Sequence, residues 1–110
     1  MSVDAKVEKY AAMKLGLLPV VGLTVRRTLT RTGRPSQSLT VELLNGEQTV
    51  SLTFAGLRQL RLEDLHPGTL CLLNISSVTQ DQMESLRYRV FNEEQDFTLA
   101  FYCADFELSV

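Results

Sequence analysis

Leu86-Arg87-Tyr88-Arg89-Val90, a polar break from Asn92 to Asp96, and Phe97-Thr98-Leu99-Ala100-Phe101-Tyr102-Cys103 carry the clearest pattern in the chain. Apolar and polar residues alternate with period two on both sides of a short charged turn, which predicts a hairpin with one face in a core. The same period recurs upstream. Val21, Leu23, Val25 and Leu29 alternate, with Arg27 the exception in their phase and Thr24, Arg26 and Thr28 in the other. Thr32 to Ser36 supplies turn residues, after which Leu39, Val41 and Leu43 lead into Asn45-Gly46 and Val50, Leu52 and Phe54 lead out. Asn-Gly between two alternating runs is the strongest short-range hairpin signal. Ala55-Gly56 ends that strand, and Leu57, Leu60 and Leu62 predict a shorter one.

Pro67-Gly68 suits the centre of a type II turn, where the third position needs a positive φ. Beyond it, Leu70 to Leu73 is apolar in both phases and continues through Ile75, which predicts a central strand or one whose outer face meets another element. The expected cover is a short helix over Asp4 to Leu15, where Val7, Tyr10, Ala11 and Leu15 fall near one face. Ser2 or Asp4 caps its start, Gly16 closes its end in a left-handed conformation, and Pro19 prevents continuation. Thr79 to Gln82 matches a capping box that opens a single helical turn through Glu84. With direct hairpins dominating and no long helix for parallel crossovers, the expectation is a mainly β fold. It is an antiparallel sandwich or partly open barrel of about six or seven strands with one N-terminal helix.

A chain of 110 residues fits one domain over 1–110, with a helix and connection in 1–18 and the antiparallel body in 19–110. Hydrophobic residues at 45% and charged residues at 22% exclude a disordered chain. The apolar stretch from Tyr10 to Leu23 is broken by Lys14, Gly16, Pro19 and Gly22, so neither a secretory core nor a membrane span is expected, and the mature chain is taken to begin at or near Met1. Cys71 and Cys103 lack C-x-x-C spacing and are too few for a disulfide framework, which points to reduced, buried thiols in the cytoplasm. Net charge is −2, but residues 1–40 hold seven Lys/Arg against two Asp/Glu, and residues 41–110 hold four against eleven. Pairing of strands from the two segments is expected to cancel the asymmetry; an interaction surface is the alternative.

Few residues remain for chemistry. The single histidine, His66, precedes Pro67 in a loop, and Cys71 lies in an apolar run that raises its pKa, so a Cys-His or Ser-His pair is not expected. One histidine and two separated cysteines do not make a zinc site. Glu63-Asp64, Glu93-Glu94-Asp96 and Asp105-Glu107 lack the spacing of a calcium loop and read as solubilising turns. The six glycines are scattered singly, so no phosphate-cradling loop is present and no cofactor is expected.

The most distinctive polar stretch runs from Arg26 to Arg34. Arg26, Arg27, Arg31 and Arg34 are candidate partner-binding residues, able to take carboxylates in bidentate pairs. A nucleic-acid role is disfavoured because exposed aromatics are not interleaved with the arginines and the chain is acidic. The alternative is an edge strand guarded by charge. Tyr102, opposite in phase to Phe97, Phe101 and Cys103 and grouped with Ala100 and Ala104, is a further candidate, in an exposed patch or beneath the N-terminal helix.

Two segments, Leu52-Thr-Phe54-Ala-Gly56-Leu-Arg58-Gln-Leu60-Arg-Leu62 and Phe101-Tyr-Cys103-Ala-Asp105-Phe106-Glu107, resemble small β-rich bacterial proteins, including immunity-protein families of polymorphic toxin systems. The resemblance rests on core-type residues and transfers no site residue. It implies a cytosolic protein that blocks a toxin by surface complementarity. The expectation is therefore a non-enzymatic protein-interaction module, immunity-type or adaptor, binding a protein partner or a second copy as a homodimer, with no nucleic acid and no membrane. The alternatives are a small-molecule carrier with an apolar pocket around Leu73, Ile75, Phe97 and Phe101, and, least favoured, a carboxylate-based enzyme.

Overall fold

The computed structural model describes residues 5–78, 86–92 and 97–109. Among the described residues one helix, α1 (Ala5–Ala12), precedes nine strands: β1 (Leu18–Leu29), β2 (Pro35–Asn45), β3 (Gln48–Ala55), β4 (Arg58–Glu63), β5 (Leu70–Cys71), β6 (Asn74–Ser77), β7 (Tyr88–Phe91), β8 (Thr98–Cys103) and β9 (Asp105–Ser109). The mainly β, antiparallel architecture with one N-terminal helix is as the periodicity predicts. Nine strands replace the expected six or seven because the chain bends where alternation alone reads a strand as continuous or finished. Leu70 to Ile75 divides into β5 and β6 at Leu72-Leu73, and a short strand, β9, follows the predicted closing hairpin. The capping-box turn at Thr79–Gln82 lies outside the described residues.

One sheet runs β5-β1-β2-β3-β9 and the other β4-β8-β7-β6, every pairing antiparallel. They are two halves of one coiled surface. β3 and β4 are separated only by Gly56-Leu57, β8 and β9 only by Ala104, and β3 pairs with β9 as β4 pairs with β8. Ala55 opposite Asp105 and Arg58 opposite Tyr102 keep one register across the bend. The two strands therefore form a single bent ribbon that carries the chain from one sheet to the other. The remaining edges, β5 and β6, are joined by Leu72-Leu73, which gives a partly open barrel.

At the bend the alternation slips by one residue. Leu99, Phe101 and Cys103 face inward, as do Phe106 after Ala104, and Phe54 and Leu57 on either side of the Ala55-Gly56 pair. Gly56 has φ +69°, and a Cβ there would lie 2.9 Å from the Ala104 Cβ, so the close approach requires glycine. Inside the curve, Phe54 and Phe101 meet edge-on with centroids 4.9 Å apart, and Tyr88 and Phe106 do so at 4.8 Å. Leu39, Val41, Leu52, Val90 and Leu99 complete a core free of solvent.

The helix fastens the open side. Tyr10 Oη donates to the Leu73 carbonyl at 2.6 Å, while Lys6 Nζ reaches Asp105 Oδ1 at 2.6 Å and the Phe106 carbonyl at 3.0 Å. It thus tethers the edge beside β6 to the edge strand β9, and covers the Leu72–Ile75 segment as predicted. Its left-handed exit is at Lys14 (φ 49°), whereas Gly16 carries no positive φ, because the helix ends at Ala12, a turn earlier than expected.

Candidate functional site

β1 and β2 form a long hairpin paired from Val20–Leu43 out to Leu29–Pro35. Its base packs on the core, but β4 leaves the neighbourhood of β2 at Leu57, whose amide donates to the Gln37 carbonyl at 2.9 Å. Beyond that point the inward-phase side chains of the hairpin have no sheet opposite them. Leu29, opposite Pro35 beyond it, is 72% exposed, and Val25, opposite Leu39 just before it, is already 41% exposed. Between the outer hairpin and the start of β4 lies a groove of about 540 Å³ lined by Arg27, Leu29, Pro35, Gln37, Leu57 and Arg58, among others. Leu57 is buried and forms its floor.

A local irregularity sets the phase that puts Arg27 in this groove. The register of β1 against β2 shifts between Val20 and Gly22, which leaves Val21 exposed and brings Leu23, Val25 and Arg27 opposite Val41, Leu39 and Gln37. The polar exception in the apolar phase of β1 is therefore a groove residue. Arg26, opposite Ser38, points to the other face, in a row that continues through Ala55 to Asp105. Arg31 and Arg34 are exposed in the turn at the hairpin tip, where Thr30 and Arg34 bond through their backbones and Gly33 takes φ +79°. None of the four guanidinium groups has an ion pair among the described residues; the ion pair these residues contain is Lys6–Asp105. Val20 is the last residue of β1 bonded on the side away from β2, to Gly68 and Thr69, and beyond it that side is unpaired among the described residues, so Arg26 and Arg27 also occupy an edge.

Tyr102 lies on the outer face of the other sheet, half-buried, with α1 elsewhere in the molecule. It stands between Arg58 of β4 and Arg89 of β7 in one cross-strand row. The next row holds Arg61, Ala100 and Phe91, and the Arg89 guanidinium sits 4.5 Å from the Phe91 ring centroid. Arg58 belongs to both the groove and this row, so a basic band runs from Arg27 through Arg58 to Tyr102 and Arg89. Arg27, in the inward phase of β1, and Tyr102, on the outer face, are linked through Arg58, which lines the groove and pairs with Tyr102, whereas Arg26 lies in the outward phase of β1. Arg58, Arg61 and Arg89 were not singled out by sequence reasoning. The signal for them was present, since each is an arginine in the outward phase of a strand containing or facing Tyr102.

The remaining candidates fall apart in space. His66 is exposed in the Pro67-Gly68 turn, which closes with Thr69 N donating to the His66 carbonyl at 3.0 Å, whereas Cys71 is fully buried. Burial pushes the Cys71 and Cys103 thiols from 9.0 up to about 12. Leu73, Ile75, Phe97 and Phe101 are parts of the core cluster; a surface cleft of about 210 Å³ beneath α1 touches Leu73 and Ile75. Among the described residues no three His, Cys, Asp or Glu side chains converge as a metal site. Glu93, Glu94 and Asp96 lie outside the described residues.

Comparison with known proteins finds one family model, described as Immunity protein PIM8, matching residues 5–109, a span from the first residue of α1 to the last of β9. No curated protein and no solved structure matches the chain.

Proposed function

This chain belongs to the PIM8 immunity-protein family, and from that premise we propose that it neutralises a toxin protein in the cytoplasm by covering part of its surface, without catalysis. The observation that supports the site is the groove beside the β1–β2 hairpin. It combines buried, apolar Leu57 with guanidinium groups at Arg27 and Arg58 that have no ion pair among the described residues. Arginine and well-packed apolar pockets are the features that concentrate binding energy in protein interfaces. Through Arg58 the groove adjoins the rows that carry Tyr102, Arg89 and Arg61. The cytoplasmic setting is supported by Cys71 and Cys103, which are free thiols.

The test begins with capture of the host protein that the tagged chain retains from nuclease-treated native extract. That protein is then expressed alone and together with this chain. The expected result is growth arrest by the captured protein alone, relief by co-expression, and loss of relief when Arg27 and Arg58 are changed to glutamate. A captured protein that is harmless by itself would sink the toxin reading. Relief that survives the double change would move the interface to another face.

A further inference from the structure

Resting on the toxin-binding reading, we infer that the groove takes an acidic segment of the partner, with carboxylates on Arg27 and Arg58 and an apolar side chain between them on Leu29, Pro35 and Leu57. Among the described residues the groove's lining contains no aspartate or glutamate, although the chain as a whole carries 13 such residues and a net charge of −2. Its positive sign is thus local. Arg31 and Arg34 at the hairpin tip and Arg61 along β4 add to that sign, and an acidic ligand gains from all of them during approach.

The geometry suits carboxylates more than isolated point charges. A guanidinium presents a planar fork that binds a carboxylate through two parallel N–H donors. Arg27 of β1 and Arg58 of β4 both line the groove, so one extended segment lying along it meets both. Leu29, 72% exposed, and Pro35 sit beside it as an apolar seat. A nucleic acid is a poorer fit, because among the described residues the groove lining includes no aromatic ring on which a base stacks.

The sign carries a further implication for the target. A protein that masks a phosphate-binding cleft must present carboxylates in place of phosphates, and this face presents arginines. The surface it covers is therefore acidic.

The experiment uses a random peptide library displayed on phage, selected on the folded wild-type chain. Recovered peptides are then assayed against Arg27→Glu/Arg58→Glu and against Arg27→Lys/Arg58→Lys, each checked for native circular dichroism. The expected outcome is enrichment of peptides with acidic residues flanking an apolar one. Their affinity should fall by at least about tenfold on the glutamate variant and by less on the lysine variant, which keeps charge but loses the fork. Neutral or basic peptides, acidic peptides that bind the glutamate variant equally well, or no enrichment would each overturn the inference. So would tighter, arginine-dependent binding of a short thymidine oligonucleotide measured in parallel. Failure here leaves the growth assay untouched, and failure of that assay leaves the peptide result standing, so the two readings are separable.

Discussion

Gly56 shows how one backbone position decides a fold. A side chain there must adopt φ +69° and place its Cβ 2.9 Å from that of Ala104. Gly46, at φ +67°, has nothing within 4 Å of the same position. Gly46→Ala should therefore cost only the left-handed penalty, about 1–2 kcal/mol, whereas Gly56→Ala should cost about 2–4 kcal/mol because the steric clash adds to it. Urea unfolding of the two variants measures the difference, and equal losses would mean that the bend relaxes freely. The thiols give a second residue-scale prediction. Cys71 and Cys103 sit at about 12, above the ordinary 9.0, because burial disfavours the thiolate. A raised folded-state pKa contributes stability that is fully present below pH 9.0 and lost as pH climbs toward about 12. Native protein should resist a disulfide-exchange reagent at mildly alkaline pH and react only on unfolding, and Cys71→Ala should flatten the alkaline fall in stability. These burial effects were legible, since both cysteines lie in apolar strand runs. The bend was not, because Ala55-Gly56 reads equally well as the end of a strand.

Among elements, α1 is the piece whose attachment is most readily measured. With eight residues it is too short to persist alone, so its contacts with the barrel hold it in place. Tyr10→Phe removes the donor to the Leu73 carbonyl and should cost about 1–2 kcal/mol, with amide exchange accelerating in α1 before the sheets. Lys6→Ala should cost only about 0.5 kcal/mol, since the Lys6–Asp105 pair is roughly half exposed. The hydrogen bond from Lys6 holds the Asp105 carboxyl below its ordinary 3.8. A lowered folded-state pKa contributes stability above the ordinary value that disappears as pH falls through the lowered one. The gap between wild type and Lys6→Ala should accordingly close in strong acid. The β2–β3 hairpin was legible because Asn45-Gly46 dictates its turn locally, as Pro67-Gly68 does the turn between β4 and β5, which lie in different sheets. β9 and the division of β5 from β6 were not, since both depend on where the sheets curve, which only distant contacts determine.

For the whole molecule, the separation of a dry core from a basic outer face makes binding and stability independent. Arg27→Glu/Arg58→Glu should leave the unfolding free energy within about 0.5 kcal/mol of wild type, because exposed positions away from packed features tolerate change. The same variant should abolish most of the salt dependence of association with the captured partner, measured as the rate of complex formation from low to physiological ionic strength. An unchanged salt profile would exclude electrostatic steering by this face. The arginine stretch stood out in the sequence, but its partner Arg58 did not, because juxtaposing β1 with β4 requires the sheet to bend. The bent ribbon also governs when the protein is ready to act. β3 and β4 are made early and wait for β8 and β9, with the whole of residues 64–97 synthesised in between. Pairings so remote in sequence close slowly. A ribosome must pass Cys103 before the Arg58 wall of the groove is braced against its strand partner β8, so under the proposed function a newly made molecule gains the capacity to protect only after β8 has been translated. For the proposed role, that delay sets how far synthesis of this chain must run ahead of its target.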